Sequence, residues 1–361
     1  MIAPIPAVAA MAPYPLADPV PEGAISLAQN ESAFPPSPQA LAAGAAALAC
    51  GALYPDPDWS DLRAAIAAVH DVPGEGILCG AGSMELIGAV IRAFSGPGDT
   101  VLGSRFGYLF VATACRQSGA RYVCADETDY TVCVDALLRS VGPDTRIVFV
   151  CNPGNPTGTR IANAEIVRLR AGLPARVLLV VDQAYGEFDD QEGRPVFDLV
   201  AGGGTVLLRS FSKAYGLAGA RVGWGLFPPA IGAEARKLLN PNNIGAVSQA
   251  MAAAAMRDGA HMRAIVTETR RAREALAAAL RAAGFAPPRS HANFLLIPFD
   301  CPRACRAADR SLRAEGLLLR GMDGYGLGHC LRVTVGPAEA MDRVAARLGA
   351  GGPAFPDTGG G

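Results

Sequence analysis

The chain has 361 residues, half of them hydrophobic and only 18% charged, which favours a compact folded protein of about two domains over a disordered one. Its formal net charge of −1 shows no basic excess, so we expect no nucleic-acid binding. No segment reaches the roughly 18–20 uninterrupted apolar residues of a membrane span, and the proline-broken start lacks the basic region of a signal peptide. Nine cysteines without CxxC spacing then predict reduced thiols in a cytoplasmic protein, with no metal site.

The predicted elements follow a Pro-rich N-terminal arm, residues 1–38. Over residues 39–245, helical patterns alternate with apolar runs: DTVLGS, RYVCAD, RIVFVCNP, RVLLVVDQAY, TVLLRSFS and GWGLFP. Continuous apolar runs are typical of strands buried on both faces of a mainly parallel sheet. We therefore predict a large α/β domain with three layers, α/β/α. Residues 246–348 then read as a smaller α+β domain, and residues 349–361 as a disordered tail.

Polar residues follow several of these strands, at the edge where open α/β sheets bind ligands. In chain order they are Asn152, Asn155, Asp182, Tyr185, Ser210, Ser212, Lys213 and Arg221. Upstream, ILCGAGSMELI reads as a strand, a Gly-rich turn and a helix start, which presents backbone N–H groups to an anion. An anion cradle, an acid, a phenol, a lysine and an arginine together suit an aldehyde cofactor that carries a phosphate and a ring nitrogen.

Lys213 is one of only two lysines, the other being Lys237, so 30 of the 32 basic residues are arginine. Arginine can serve in salt bridges, but only lysine offers an amine that loses its proton and attacks a carbonyl. We therefore predict that Lys213 is the residue that reacts with the cofactor.

The motifs NPTG, DxAY and SFSKxxGLAGxRxG, at these spacings, resemble the fold-type I pyridoxal-phosphate (PLP) enzymes. Within them the chain is similar to the class I/II aminotransferases, and most to the histidinol-phosphate aminotransferase group, from about residue 13 to 348. The resemblance implies an aspartate aminotransferase-like fold, PLP as cofactor and a homodimer with shared active sites. It also implies amino transfer from a donor such as glutamate to a phosphorylated or aromatic keto compound.

The resemblance also implies roles for individual residues. Lys213 would hold PLP covalently and shuttle a proton, and Asp182 would keep the pyridine nitrogen protonated. Asn155 and Tyr185 would hydrogen-bond the phenolic oxygen, and Phe106 in SRFGYLF would stack on the ring. The residues implied around the phosphate are Gly82, Ser83, Met84, Ser210, Ser212 and Arg221.

On the substrate side, Arg332 in CLRVTVG matches the arginine that grips the substrate carboxylate or phosphate, and Arg320 in LLLRGM matches a second one. Tyr14 and Asn30, in the N-terminal stretch, are implied to bind substrate as well. Tyr54 in LYPDPD matches a residue that the family donates across a dimer interface, so each site would need two subunits.

Three departures from the family pattern, Gln183, Met84 and Asn242, together with the missing proline before Phe106, leave the substrate open. One alternative is an aminotransferase for aromatic or other amino acids. A second is a threonine-phosphate decarboxylase-like lyase with the same cofactor. A third is a PLP-binding regulatory domain without catalysis, which would need an attached DNA-binding segment that residues 1–38 do not supply.

Overall fold

The computed structural model describes residues 2–4, 6–9, 11–13, 18–191 and 194–356. The strands are β1 (Ile25–Ser26), β2 (Ile77–Gly80), β3 (Thr100–Ser104), β4 (Arg121–Ala125), β5 (Glu127–Thr128), β6 (Thr131–Val132), β7 (Thr145–Cys151), β8 (Leu178–Asp182), β9 (Thr205–Ser210), β10 (Gly223–Leu226), β11 (Phe294–Pro298), β12 (Leu317–Leu318), β13 (Arg320–Gly321) and β14 (Cys330–Thr334).

The α-helices are α1 (Pro6–Ala9), α2 (Pro38–Ala47), α3 (Ser60–His70), α4 (Ser83–Phe94), α5 (Leu109–Ser118), α6 (Val134–Ser140), α7 (Asn163–Gly172), α8 (Arg194–Ala201), α9 (Pro229–Arg236), α10 (Ala246–Arg257), α11 (Gly259–Ala282), α12 (Pro302–Ala314) and α13 (Ala338–Gly351). Short 3-10 helices lie at Leu48–Cys50, Gly74–Gly76, Gly186–Phe188, Ala218–Ala220 and Asp323–Tyr325.

The large domain is built on a seven-stranded sheet in the order β2-β10-β9-β8-β7-β3-β4. β10 runs antiparallel to both of its neighbours, and the remaining pairs are parallel. The predicted α/β fold with a mainly parallel sheet is confirmed. Central strands such as β8 and β9 are buried along their whole length, whereas the edge strand β4 is largely exposed because it has a neighbour on one side only.

The register of the parallel strands brings the polar residues together. Cys151 at the end of β7 pairs with Asp182 at the end of β8, and Asp182 pairs in turn with Leu208 of β9. The carboxyl ends of these strands therefore meet at one edge of the sheet, where Asn155, Tyr185 and Lys213 continue the chain.

The small domain contains the antiparallel sheet β11-β14-β13 and the parallel pair β1–β12. Leu27 from the N-terminal arm is buried in its core with Leu280 and Leu348. Part of the predicted arm is thus strand β1 of the small domain, which the aperiodic sequence of residues 1–38 did not indicate.

Two boundaries differ from the prediction. Helix α10, assigned to the small domain, packs on α2 and α3 of the large domain, because its small buried residues such as Ala252 and Ala253 allow close helix contact. The tail predicted to be disordered from residue 349 continues α13 to Gly351, and Phe355 is buried against the small domain. In the part of the chain that the structure describes, no helix is long and apolar enough to cross a membrane.

Candidate active site

Lys213 lies three residues beyond β9 and faces the arm. Its Nζ donates hydrogen bonds to the main-chain oxygens of Asn30, at 2.9 Å, and Gln29, at 3.3 Å. Burial, followed by the positive charges of Arg332 and Arg221, lowers the pKa of Lys213 to about 7. A large fraction of this amine is therefore neutral, and nucleophilic, near pH 7.

Asp182 and Tyr185 follow the neighbouring strand β8. The Asp182 side chain is buried, and its Oδ1 accepts a hydrogen bond from the Ala184 N–H at 3.0 Å. Burial raises the pKa of Asp182 to about 6, against the opposing effects of the Ala184 N–H and of Lys213. The Tyr185 hydroxyl accepts from Asn30 Nδ2 at 2.8 Å, and burial raises the pKa of this phenol, so it stays protonated.

An anion cradle lies where α4 begins. Gly82 caps the helix with a φ of +78°, and a Cβ there would lie 2.5 Å from a guanidinium nitrogen of Arg221, so a larger residue would displace that side chain. Arg221 donates to the Ala218 carbonyl at 3.0 Å and to the Ser212 hydroxyl at 3.4 Å. Helix N–H groups, two serines and a guanidinium thus converge on one place, as a phosphate requires.

A polar network that the sequence did not reveal holds this cradle. Glu85 Oε2 accepts from the Ala81 N–H at 2.7 Å and from Asn243 Nδ2 at 2.6 Å. Asn243 Oδ1 accepts in turn from the Trp59 indole at 3.0 Å. The turn before α4 is therefore held by Glu85, which is itself held by Asn243.

The two predicted substrate arginines are direct cross-strand neighbours, Arg320 on β13 opposite Arg332 on β14. Arg332 donates to Asn155 Oδ1 at 2.6 Å and to the Ala28 carbonyl at 2.7 Å, and its guanidinium lies 5.3 Å from the Phe294 ring centre. The small domain thus contributes a second cationic centre, distinct from the Arg221 cradle.

These groups surround one cavity of about 410 Å³ between the two domains. The predicted residues that line it are Asn30, Ser83, Met84, Asn155, Asp182, Tyr185, Ser210, Ser212, Lys213, Arg221, Arg320 and Arg332. Gly82 lies behind Arg221. The lining also includes Glu31, Tyr108 and Tyr325, which were not predicted; Tyr108 lies in the same SRFGYLF motif as Phe106 and could have been weighed beside it.

Two further predicted residues, Phe106 and Tyr54, do not line this cavity. Phe106, expected to stack on the ring, packs instead beside Tyr130, with ring centres 6.0 Å apart, because its backbone N–H is held by Glu127. Tyr54 is 89% exposed on the surface. Tyr14 lies outside the described residues.

The departure at Gln183 also lies away from the cavity. Its side-chain oxygen accepts from Arg209 at 2.9 Å, and Arg209 forms a buried ion pair with Glu187 at 3.1 Å. Asn242 does not line the cavity either, so of the three departures Met84 alone does. Substitution at Gln183 therefore bears on the core beneath the site rather than on substrate contacts.

One group of potential metal ligands, Asp189, Asp190 and His291, occurs among the described residues. Both carboxylates pair with the Arg160 guanidinium, and burial, followed by Arg160, lowers the pKa of His291 to about 4. The cation that these carboxylates hold is thus a guanidinium, so the group gives no support for a metal.

Comparison with known proteins gives a consistent result. A curated histidinol-phosphate aminotransferase of Paramagnetospirillum magneticum is 41% identical over 96% of this chain and 97% of its own. The solved histidinol-phosphate aminotransferase of Sinorhizobium meliloti, in complex with pyridoxal-5'-phosphate, superposes with a TM-score of 0.84 at 29% identity, over 90% of each chain. N-succinyldiaminopimelate aminotransferase of Mycobacterium tuberculosis gives 0.80 at 26% identity, over 91% of this chain and 93% of its own.

The family model described as aminotransferase class I and II matches residues 22–348, which include both domains and every residue that lines the cavity. The chain therefore belongs to the class I and II aminotransferase family.

Proposed function

We propose that this protein is a PLP-dependent aminotransferase that converts histidinol phosphate and 2-oxoglutarate to imidazole acetol phosphate and glutamate. The observation that carries the proposal is the presence of two cationic centres in the cavity that Lys213 lines: the Arg221 cradle and the Arg320–Arg332 pair. One phosphate belongs to the cofactor, and the second centre suits a substrate that carries its own. The names of the 41%-identical relative and of the solved neighbour support this substrate.

The residues present fit PLP. Ser83, Ser210, Ser212 and Arg221 would hold its phosphate, and the buried Asp182 carboxylate would face the ring nitrogen. Asn155 and Tyr185 would hydrogen-bond its phenolic oxygen. When bound, PLP supplies an electron sink for the carbanion formed at the substrate Cα.

The chain itself contributes an amine, a carboxylate and a phenol in suitable protonation states. Lys213, with its pKa lowered to about 7, would take the proton from Cα and return it one atom away. Asp182 favours a protonated ring nitrogen because a buried carboxylate is stabilised by an adjacent positive charge. Arg332 would orient the substrate anion through its planar fork.

The proposal extends to a dimer, because an exposed apolar surface lies on residues 41–54. Residues 41–54 expose Leu41, Leu48, Leu53 and Tyr54, with Tyr54 89% and Leu53 73% exposed. Apolar exposure of this kind suits a surface that a second copy of the chain covers. We infer a homodimer in which Tyr54 of each subunit reaches the partner's cofactor phosphate.

The test compares kcat/KM for histidinol phosphate with that for free histidinol. A contact between a guanidinium and a charged phosphate is worth ~1.5–3 kcal/mol, so the phosphorylated substrate should be favoured by a factor of roughly ten to a hundred. Arg320→Ala should remove most of this difference. Arg306→Ala, an exposed arginine of the same domain, is the matched control and should leave it intact.

Two outcomes would redirect the assignment. If phenylalanine or tyrosine matches histidinol phosphate and Arg320→Ala changes nothing, the enzyme is an aminotransferase for another amino acid, with Arg332 holding a carboxylate. If carbon dioxide is released and 2-oxoglutarate is not aminated, the protein is a lyase.

A further inference from the structure

Asn30 has all of its polar groups engaged, and they contact both domains. Its N–H donates to the Thr334 hydroxyl at 2.9 Å, and its carbonyl accepts from Lys213 Nζ at 2.9 Å and Asn293 Nδ2 at 3.1 Å. Its side-chain amide contacts Thr334 through the oxygen and Tyr185 through the nitrogen. Asn30 is only 1% exposed, so a substrate has little access to its side chain. The predicted role in substrate binding therefore needs another interpretation.

The surroundings of Asn30 decide which end of its amide faces Tyr185. The Thr334 hydroxyl accepts the Asn30 N–H and donates its own proton to Asn30 Oδ1, at 3.3 Å. This places the NH₂ end of the amide against the Tyr185 hydroxyl, at 2.8 Å. Asn30 adopts φ 55°, a left-handed conformation that asparagine tolerates better than most residues.

This orientation determines where Tyr185 sends its proton. A phenol has one proton, and here its oxygen already accepts from Asn30. The Tyr185 proton is therefore directed away from the arm, towards an acceptor in the cavity that Tyr185 lines. Because burial raises the pKa of Tyr185, the hydroxyl keeps this proton and acts as a donor.

We propose that Asn30 is a positioning residue that directs the Tyr185 hydroxyl proton onto the phenolic oxygen of the bound cofactor. The inference rests on the proposed function in that it takes PLP as the group in the cavity. Thr334 and Asn293, which contact Asn30, belong to the small domain. The position of the small domain therefore also affects the orientation of the Asn30 amide, and through it the direction of the Tyr185 hydroxyl. The arm thus connects substrate-binding strand β14 with the cofactor-binding phenol.

The experiment titrates the visible absorbance of the PLP-bound enzyme against pH. A hydrogen bond donated to the phenolic oxygen favours its deprotonated form, so weakening that bond raises the midpoint of the titration. Asn30→Gly keeps the left-handed backbone and removes the amide, and we expect the midpoint to rise by about 0.5–1 pH unit, as for the loss of one hydrogen bond. Asn30→Asp replaces the NH₂ donor by an acceptor that draws the Tyr185 proton to itself, and should raise the midpoint at least as much.

The Tyr185→Phe background separates this role from a structural one. If Asn30 acts through Tyr185, Asn30→Gly should leave the midpoint of Tyr185→Phe unchanged. Equal shifts in both backgrounds, or no shift in the wild type, would overturn the inference while leaving the cofactor assignment intact. Absence of any visible band after incubation of the wild type with PLP would instead count against the proposed function.

Discussion

The lowered pKa of Lys213 makes a quantitative prediction for the apoprotein. The folded-state pKa of about 7 lies below the ordinary value of 10.5, so between these limits the unfolded chain binds more protons than the folded one. The contribution of Lys213 to the free energy of unfolding should therefore increase with pH above 7, by at most about 1.4 kcal/mol per pH unit. Below pH 7 both states are protonated, and the full cost of the partly desolvated ammonium is present.

Lys213→Met removes this dependence while keeping much of the side-chain volume. From pH 7 to 9, the contribution of Lys213 to the free energy of unfolding can rise by at most about 2.7 kcal/mol. Because Lys213 is only half-buried, solvent screening should reduce this rise to about 1–2 kcal/mol. The lost hydrogen bonds to Gln29 and Asn30 add a separate contribution that varies little with pH. We therefore expect the stability of the wild type relative to Lys213→Met to rise by about 1–2 kcal/mol.

The measurement is urea unfolding of PLP-free protein at pH 7, 8 and 9, above the pKa of about 6 of the Asp182 carboxyl group. Lys237→Met is the matched control, because the only other lysine is exposed and paired with Glu234 at 2.7 Å. The difference in unfolding free energy between Lys237→Met and the wild type should be nearly constant over this range. A difference between the wild type and Lys213→Met that stays flat from pH 7 to 9 would refute the reasoning that burial and two arginines keep this amine neutral.

Three further outcomes are expected. Asp182→Asn should retain PLP but lose at least about a hundredfold in kcat, or roughly 2.7 kcal/mol, because an amide does not stabilise a protonated ring nitrogen; a near-wild-type rate would exclude this role. Borohydride reduction with PLP followed by peptide mapping should label Lys213 and not Lys237, and a label on Lys237 would defeat the assignment. Mixing wild type with the Tyr54→Phe, Lys213→Ala double variant should give heterodimers in which the one site with Lys213 binds PLP more weakly, by ~0.5–1.5 kcal/mol, and unchanged affinity would place Tyr54 elsewhere.

The large sheet could be predicted from the sequence because its strands carry their information locally. A buried parallel strand is a short apolar run, and the polar residues after β7, β8 and β9 mark the edge at which these strands end. Asn155, Asp182 and Lys213 follow directly from that pattern. No knowledge of distant contacts was needed to group them.

The features that the sequence did not reveal depend on contacts between distant segments. β1 has two residues, and its partner β12 lies almost 300 residues later, so no local pattern marks it. The Glu85–Asn243–Trp59 network joins three separate parts of the chain. Likewise, the periodicity of α10 shows that it has an apolar face but not which domain covers that face.

We infer that the hydrogen bond between Arg332 and Asn155 couples the proposed substrate and cofactor sites of the cavity. Arg332 donates a hydrogen bond to Asn155 Oδ1 at 2.6 Å. The NH₂ end of that amide is therefore the end that would donate to the phenolic oxygen of the cofactor. A substrate anion competes for the same guanidinium, so its arrival weakens the contact that orients Asn155. Arg332 is also among the charges that lower the pKa of Lys213, and an anion beside it offsets that effect. Substrate binding at Arg332 should therefore make Lys213 more basic when it must accept the Cα proton.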